Sequence, residues 1–211
     1  MPTQAPFELE RCLERLAGLH ARLCPRQVLG VRIGQRAGEL LGVALPRSDK
    51  LMLAIVEIDG CFADGVSVAT GCWLGRRTLR FVDHGKVAAT FIDLQTCRAV
   101  RIWPNPQARV LAEQYVPDAA DRWHAQLEGY RVMPATELLA SRSVTIKMPS
   151  SAFLNADSER VTCGACGEEI MNRRQVIRDG LVVCRACAGP SYLEPTVRLS
   201  PTGSLSIGPR A

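Results

Sequence analysis

The chain has 211 residues, 47% of them hydrophobic and 22% charged, which is an ordinary composition for a globular protein with one medium domain and a small appendage. Its net charge of +5 is not concentrated in a basic arm, and this argues against a dedicated nucleic-acid-binding protein. The N-terminal segment has no apolar stretch of the length that a signal peptide or a membrane span requires. We therefore expect a cytoplasmic protein without a membrane span.

Two helices are predicted at the N-terminal end. Residues 7–23 repeat leucines at helical spacing with charged residues between them, which predicts an amphipathic helix. Pro25 suits the first position of a second helix that runs to about Leu41, because its missing N–H would be unpaired there, and Cys24 would be the N-cap. Three glycines recur at four-residue intervals in this second helix: Gly30, Gly34 and Gly38. Each costs about 1 kcal/mol relative to alanine, so we expect another backbone to approach along that stripe.

Strands are predicted in the middle of the chain. The apolar segment from Leu51 to Ile58 is rich in β-branched residues and predicts a buried strand, and a short helix follows near Asp64. Three further strands are predicted: Thr78 to Asp83, Val87 to Asp93, and Ala99 to Trp103. His84-Gly85 is predicted to be a hairpin turn between the first two of these.

Helices are predicted again after the strands. Asn105-Pro106 and Pro117-Asp118 have the composition of helix starts, and Gly129 that of a helix stop. The main domain, residues 1–148, is therefore predicted to be α+β, with an antiparallel sheet flanked by helices. We expect a polar linker over 149–160, a small module over 161–190, and a disordered tail over 191–211.

Four cysteines in the small module form two C-x-x-C pairs separated by seventeen residues: Cys163, Cys166, Cys184 and Cys187. Such pairs present four thiolates tetrahedrally to one zinc ion, and Asp179-Gly180 between them predicts a tight hairpin turn. The alternatives are two redox pairs or an iron–sulfur ligand set. A closed four-thiolate site has no open coordination position, so the zinc would be structural, in a zinc-ribbon or treble-clef-like domain. The module's arginines are balanced by acidic residues, which favours protein contact or dimerisation over nucleic acid.

A second set of reactive side chains lies at predicted ends of helices and strands. A thiol that caps a helix feels the positive end of the helix dipole, which favours the thiolate at Cys24. The candidates for catalytic groups are His20, Cys24 and Cys61. The same three residues, together with Asp64 and Cys72, could be ligands of a second metal. The alternative for each cysteine is burial in the core, and for His20 a hydrogen-bonded core histidine. Lys86 follows a turn and is either a substrate anchor or a solvated lysine.

Three segments of the chain resemble, in order, the signature regions of the FmdE-like family, which is named after the E subunit of formylmethanofuran dehydrogenase. They are LHARLCPRQVLGVRIG, DGCFADGVSVATGCWLGRRTLRFVDHGKVAATF and CGACGEEIMNRRQVIRDGLVVCRACAG. The resemblance implies an α+β domain with a His/Cys cleft that often holds a metal, then a zinc-ribbon-like module, commonly in homodimers. The namesake complex is a molybdenum or tungsten pterin enzyme that reduces carbon dioxide onto methanofuran, and its E subunit does not carry the pterin. The positions that match the family pattern are His20, Cys24, Cys61, Asp64, Thr70, Cys72 and Lys86.

The chain departs from the family at its first motif. The usual pattern is H-G-H-x-C-P-G, whereas here Arg22 replaces the second histidine and Arg26 replaces the glycine after proline. The loss of a ligand and the gain of two cations favour an anionic substrate or cofactor group in the cleft. The residues expected to bind such a group are Arg22, Arg26, Thr70 and Lys86.

Three functions are compatible with these observations. The first is a zinc protein accessory to a molybdenum or tungsten oxidoreductase, in one-carbon metabolism or cofactor handling. The second is a free-standing enzyme in which Cys24 or Cys61 is a nucleophile or a catalytic metal ligand. The third is a regulator that binds nucleic acid through its zinc module.

Overall fold

The computed structural model describes residues 8–147, 159–193, 198–199 and 205–206. The chain divides into two compact units, residues 1–154 and 155–211, and each unit is described here by itself.

The first unit begins with two helices, α1 (Leu9–Ala17) and α2 (Pro25–Leu41). α1 buries Leu13 and Leu16, as its amphipathic pattern predicts, but it ends before the predicted 23. Cys24 is the N-cap of α2, and its backbone N–H donates to the side-chain oxygen of Gln27 at 2.7 Å. The predicted start and end of α2 are both confirmed.

Five strands form the sheet of this unit: β1 (Met52–Val56), β2 (Leu79–Phe81), β3 (Ala89–Asp93), β4 (Ala99–Pro104) and β5 (Leu139–Ser143). Their order is β2-β1-β3-β4-β5. β1 pairs antiparallel with β3, β3 with β4 and β4 with β5, but β1 and β2 are parallel. The sheet is therefore mixed. The parallel pair requires a crossover, which helix α3 (Cys61–Thr70) provides.

The predicted hairpin at His84-Gly85 is wrong, because β2 and β3 lie on opposite sides of β1. The segment after β2 instead wraps around the end of β1. There the backbone N–H groups of His84 and Lys86 donate to the carbonyl oxygen of Glu57 at 3.1 and 3.2 Å. A turn signal in the sequence cannot distinguish a hairpin from a loop that passes around a neighbouring strand.

The glycines of α2 allow α3 to pack against it at close range. A Cβ atom at Gly30 would lie 2.4 Å from the carbonyl oxygen of Phe62, and one at Gly34 would lie 2.6 Å from Cβ of Ala69. α3 contributes its own glycine, Gly65, whose Cβ would lie 2.4 Å from a backbone oxygen of α2. The predicted backbone approach is confirmed at Gly30, and Gly34 lies against the side chain of Ala69 in the last turn of α3. Gly38 does not meet α3 and instead lies against Val43 and Leu45, which follow α2.

Three more helices complete the unit: α4 (Ala108–Tyr115), α5 (Arg122–Val132) and α6 (Ala135–Leu138). α5 begins four residues after the predicted Pro117-Asp118 start, with the Asp121 side chain accepting from the backbone N–H of His124. Gly129 does not stop this helix. It lies inside α5, where a Cβ would be 2.9 Å from Cβ of Ala112 on α4, so it is a helix-packing glycine.

The second unit contains short hairpins and one helical turn: β6 (Arg160–Thr162), β7 (Glu169–Met171), β8 (Val176–Arg178), β9 (Leu181–Val183) and α7 (Arg185–Ala188). Asp179 and Gly180 join β8 to β9 with φ values of 52° and 78°, which confirms the predicted two-residue turn. Most of the predicted linker and tail lies outside the described residues. Within the tail, β10 (Arg198–Leu199) pairs antiparallel with β11 (Leu205–Ser206).

Candidate functional site

The four cysteines of the second unit form a zinc-binding site. Their sulfur atoms all lie within 4.8 Å of one another. The first pair follows β6 in a turn that Gly167 closes, and the second pair lies at the N-terminal end of α7, where Cys184 is the N-cap. The backbone N–H of Gly164 donates to the carbonyl of Val182 at 2.8 Å, which ties the first turn to β9 and brings the two pairs together. This arrangement fits tetrahedral zinc.

Hydrogen bonds within the cluster change the pKa values of its thiols. Burial alone would raise the pKa of Cys163, but backbone N–H groups of Cys166 and Cys184 donate to its sulfur and lower the pKa to about 6. Hydrogen bonding to Cys184 raises the pKa of Cys187 to about 12. Four thiolates this close repel one another, so without a cation they hold on to protons, and a bound zinc ion would displace those protons.

Cys24 and Cys61 meet at the other site, a cleft of 630 Å³ in the main domain. Cys24 caps α2 and Cys61 is the first residue of α3, so the close packing of these helices brings the two thiols together. Burial raises the pKa of Cys61, and the interaction of its side chain with Cys24 raises it further. The two thiols therefore interact directly at the wall of one cleft.

His20 and Asp64 form a second pair close to the thiols. Nε2 of His20 lies 3.0 Å from Oδ2 of Asp64, in the first turn of α3. The charge of Asp64 also acts on the thiol of Cys61 and raises its pKa. The structure thus brings together four of the five predicted ligands or catalytic groups, as the hydrogen-bonded pair His20–Asp64 and the interacting thiols Cys24 and Cys61.

The charged side chains that line the cleft are two arginines, and no carboxylate is among the described lining residues. Arg26 lies in the first turn of α2 and is exposed, and Arg109 lies in the first turn of α4. Arg22 lies beside the cleft, with its guanidinium 6.0 Å from the ring centre of the lining residue Trp123. Two helix N-termini and two guanidinium groups make the cleft electropositive.

Three predicted site residues lie apart from this cleft. Thr70 is fully buried, and its hydroxyl donates to the carbonyl of Val66 at 2.7 Å. Cys72 is buried in the core, where its sulfur lies 3.5 Å from the carbonyl oxygen of Met52, and burial raises its pKa. Lys86 is exposed in the loop around β1 and does not line the cleft, although the next residue, Val87, does.

The donor set of the main domain does not fit a metal ion as it is arranged. Among the residues that the structure describes, the ligand atoms of three or more Cys, His, Asp or Glu side chains converge at one place, the four cysteines of the second unit. In the main domain, His20 is engaged by Asp64 and Cys24 by Cys61, while Cys72 faces the core. These side chains form two separate pairs, whereas a tetrahedral ion needs three or four donors that converge on one point.

Sequence reasoning missed the far wall of the cleft. Three residues of α5 line it: Trp123, Gln126 and Tyr130. Their spacing of three and four residues places them on one face of a helix, which was a usable signal, but nothing in the sequence indicated that this face meets the N-terminus of α2. Arg109 gave no signal of its own. It interacts with the hydroxyl of Tyr130 and opposes the increase in that pKa caused by burial.

None of the helices that the structure describes has the length and apolar composition needed to span a membrane.

Comparisons with known proteins agree with this architecture. Residues 19–140 match the family model described as "FmdE, Molybdenum formylmethanofuran dehydrogenase operon", and residues 158–193 match "Prokaryotic dksA/traR C4-type zinc finger". A solved structure from Syntrophus aciditrophicus, of a protein like the E subunit (FmdE) of tungsten formylmethanofuran dehydrogenase, shares the fold. Its TM-score is 0.60 at 20% identity, over 92% of this chain and 100% of that chain.

A curated relative from Archaeoglobus fulgidus is named "Probable S-adenosyl-L-methionine-binding protein". It is 30% identical over 207 residues, which cover 88% of this chain and 54% of the relative, so the chain spans about half of the relative's length. The family model that covers most of the first unit, the shared fold and the four-cysteine zinc finger lead to one conclusion: the chain belongs to the FmdE family and carries a C-terminal C4-type zinc finger.

Proposed function

We propose that this protein is a cytoplasmic, homodimeric zinc protein that assists a molybdenum or tungsten oxidoreductase in one-carbon metabolism. Its main-domain cleft binds an anionic small molecule beside a pair of thiols. One observation carries the proposal for the cleft: Cys24, Cys61, Arg26 and Arg109 line the same 630 Å³ space, with no carboxylate among the described lining residues.

The charges of the cleft support an anion as its ligand. Arg26 has no ion pair or hydrogen bond within residues 8–147, so its guanidinium is available to a ligand. Guanidinium groups bind carboxylates and phosphates through two parallel hydrogen bonds, and the N-termini of α2 and α4 add unpaired backbone N–H groups. The volume lies within the range of about 300–1,000 Å³ that is usual for small-molecule sites.

The thiols themselves provide a test of the cleft's charge. Iodoacetate and iodoacetamide alkylate thiolates by the same reaction, but only iodoacetate is an anion. We expect Cys24 and Cys61 to react faster with iodoacetate, relative to iodoacetamide, than the exposed Cys97 does in the same molecule. Peptide mass spectrometry of zinc-loaded full-length protein gives the rate at each cysteine.

Arginine variants supply the matched control. Arg26→Ala and Arg109→Ala should lower the iodoacetate to iodoacetamide ratio at the cleft thiols, whereas Arg11→Ala, an exposed residue of α1, should leave it unchanged. A ratio at Cys24 and Cys61 equal to that at Cys97, in the wild type, would refute an electropositive cleft.

The accessory role rests on family membership and predicts a partner. Affinity-tagged full-length protein, expressed in its native host, should co-purify with a molybdenum- or tungsten-containing oxidoreductase. A variant with Cys163→Ser and Cys184→Ser should lose this association, because the zinc finger then unfolds. Recovery of a homodimer alone would count against the accessory role and favour the free-standing enzyme.

A second candidate ligand follows from the name of the Archaeoglobus relative. S-adenosylmethionine carries a carboxylate that Arg26 or Arg109 would bind, and an adenine that could stack on Trp123. Calorimetric titration of the full chain tests this ligand directly. Binding that Trp123→Leu weakens would support it, and no heat of binding at millimolar ligand would exclude it.

A further inference from the structure

A second pocket lies beside α3 and shares no lining residue with the thiol cleft. It has a volume of 350 Å³ and is formed by the end of β1, the first two turns of α3, the loop after α3 and the edge strand β2. Its walls are mainly apolar and include Trp73, Leu74 and Phe81. Leu74 and Phe81 are 63% and 45% exposed, which is unusual for large apolar side chains around one depression.

Two carboxylates also line this pocket, Asp59 just before α3 and Asp64 in its first turn. No lysine or arginine is among the described residues that line it. Asp59 is exposed and has no ion-pair partner among residues 8–147, whereas Asp64 bonds to His20. The pocket therefore combines aromatic walls with uncompensated negative charge, the reverse of the electropositive thiol cleft.

We propose that this pocket binds a small alkylated organic cation, such as a quaternary ammonium or a sulfonium. Aromatic rings attract cations through the negative faces of their π systems, and the two carboxylates add Coulomb attraction. The mainly apolar walls favour an alkylated cation over a primary amine. A primary ammonium brings three N–H donors that would each need an acceptor, whereas an alkylated cation brings none.

The volume agrees with a ligand of this size. At 350 Å³ it lies at the lower end of the usual range for small-molecule sites, which leaves room for an alkylated head group. The site is separate from the proposed anion cleft. Asp59 and Trp73 take no part in that cleft, and variants at these positions test the cation site without altering the thiols.

Choline and its neutral isostere 3,3-dimethylbutan-1-ol make a matched pair of probes, because they differ in charge and hardly in shape. Calorimetric titration of the full-length protein should show binding of choline at least about tenfold tighter than that of the isostere. Asp59→Asn and Trp73→Leu should each weaken choline binding by about tenfold, the loss expected for one partly desolvated cation contact. Asp118→Asn, at an exposed aspartate outside the pocket, should leave binding unchanged.

Equal binding of the two probes would overturn the proposal, as would the absence of choline binding or an Asp59→Asn variant with wild-type affinity. Thermal melts check that each variant is folded. If Trp73→Leu does not fold, Trp73→Phe retains a ring, and Asp59→Asn alone then decides the question.

Discussion

Arg32 provides the most quantitative test of how the far wall of the thiol cleft is held. It is 8% exposed, and its guanidinium donates to the backbone carbonyls of Tyr130 at 2.6 Å, Arg131 at 3.0 Å and Met133 at 2.7 Å. These carbonyls belong to the C-terminal end of α5, where a helix leaves its last carbonyls without partners of its own. Arg32 thus fastens α2 to the helix that carries the cleft wall.

Replacement by methionine keeps most of the side-chain volume and removes the three hydrogen bonds. Two of the three bonds are buried, and an unsatisfied buried carbonyl costs about 1–3 kcal/mol, so Arg32→Met should lower the free energy of unfolding by about 3 kcal/mol. For a chain of this size the loss corresponds to a decrease of about 6–12 °C in Tm. Guanidinium unfolding followed by circular dichroism measures the free energy.

Arg36→Met is the matched control. Arg36 lies one turn further along α2 and pairs on the surface with Glu39 at 2.7 Å, a type of contact worth about 0.3–0.5 kcal/mol. If the free energies of unfolding of Arg32→Met and Arg36→Met differ by less than about 1 kcal/mol, the hydrogen bonds from Arg32 do not stabilise the end of α5. This explanation of how the cleft wall is held would then be refuted.

Three further predictions concern packing, pH and zinc. Gly30→Ala should destabilise the main domain by about 1–3 kcal/mol, because the new Cβ would lie 2.4 Å from a backbone oxygen. Gly75→Ala, where a Cβ would meet open space, should change the free energy of unfolding by less than about 0.5 kcal/mol. Equal effects of the two variants in denaturant titrations would contradict the α2–α3 packing. Hydrogen bonds from Arg101 at 2.6 and 2.7 Å hold the pKa of Glu57 below 4.5, so this pair's contribution is complete above pH 4.5 and is lost as pH falls through the lowered pKa. The loss in free energy of unfolding caused by Arg101→Met should therefore become smaller at acid pH. A loss that does not change with pH would contradict the role of this ion pair. A chelator should remove zinc more readily at about pH 6 than at about pH 8, because protons compete with zinc for the thiolates. Removal of the zinc should unfold the finger, while the main domain keeps its melting transition. Release of zinc at a rate independent of pH would contradict four-thiolate ligation.

Local signals in the sequence predicted several features correctly. Cys24-Pro25 begins α2, Gly30 and Gly34 mark the contact of α2 with α3, and Asp179-Gly180 forms the turn in the zinc finger. The helix cap and the turn depend on the geometry of a few neighbouring residues, and the glycines occur where a side chain would clash. The four-cysteine site belongs to the same class, because its spacing is nearly sufficient to define it.

Features that depend on distant residues were not predictable in this way. The position of β2 beside β1 depends on the crossover through α3, and a turn signal at His84-Gly85 carries no information about it. The cleft wall depends on Arg32 reaching the end of α5, about a hundred residues away in sequence, as its hydrogen-bond separations of 98 to 101 residues show. Thr70 and Cys72 match the family pattern, but their side chains are buried in the core and contact backbone carbonyls there.

Metal content per chain is the most direct test of the central claim, which is that zinc belongs to the finger and the main-domain cleft is a thiol and anion site. Elemental analysis is made on full-length protein, purified without a histidine tag, and on two double variants, Cys163→Ser with Cys184→Ser and Cys24→Ser with Cys61→Ser. We predict one zinc ion per chain in the wild type, none in the finger variant and one in the cleft variant. Two metal ions in the wild type, with one lost from the cleft variant, would contradict this account and place a metal at Cys24 and Cys61.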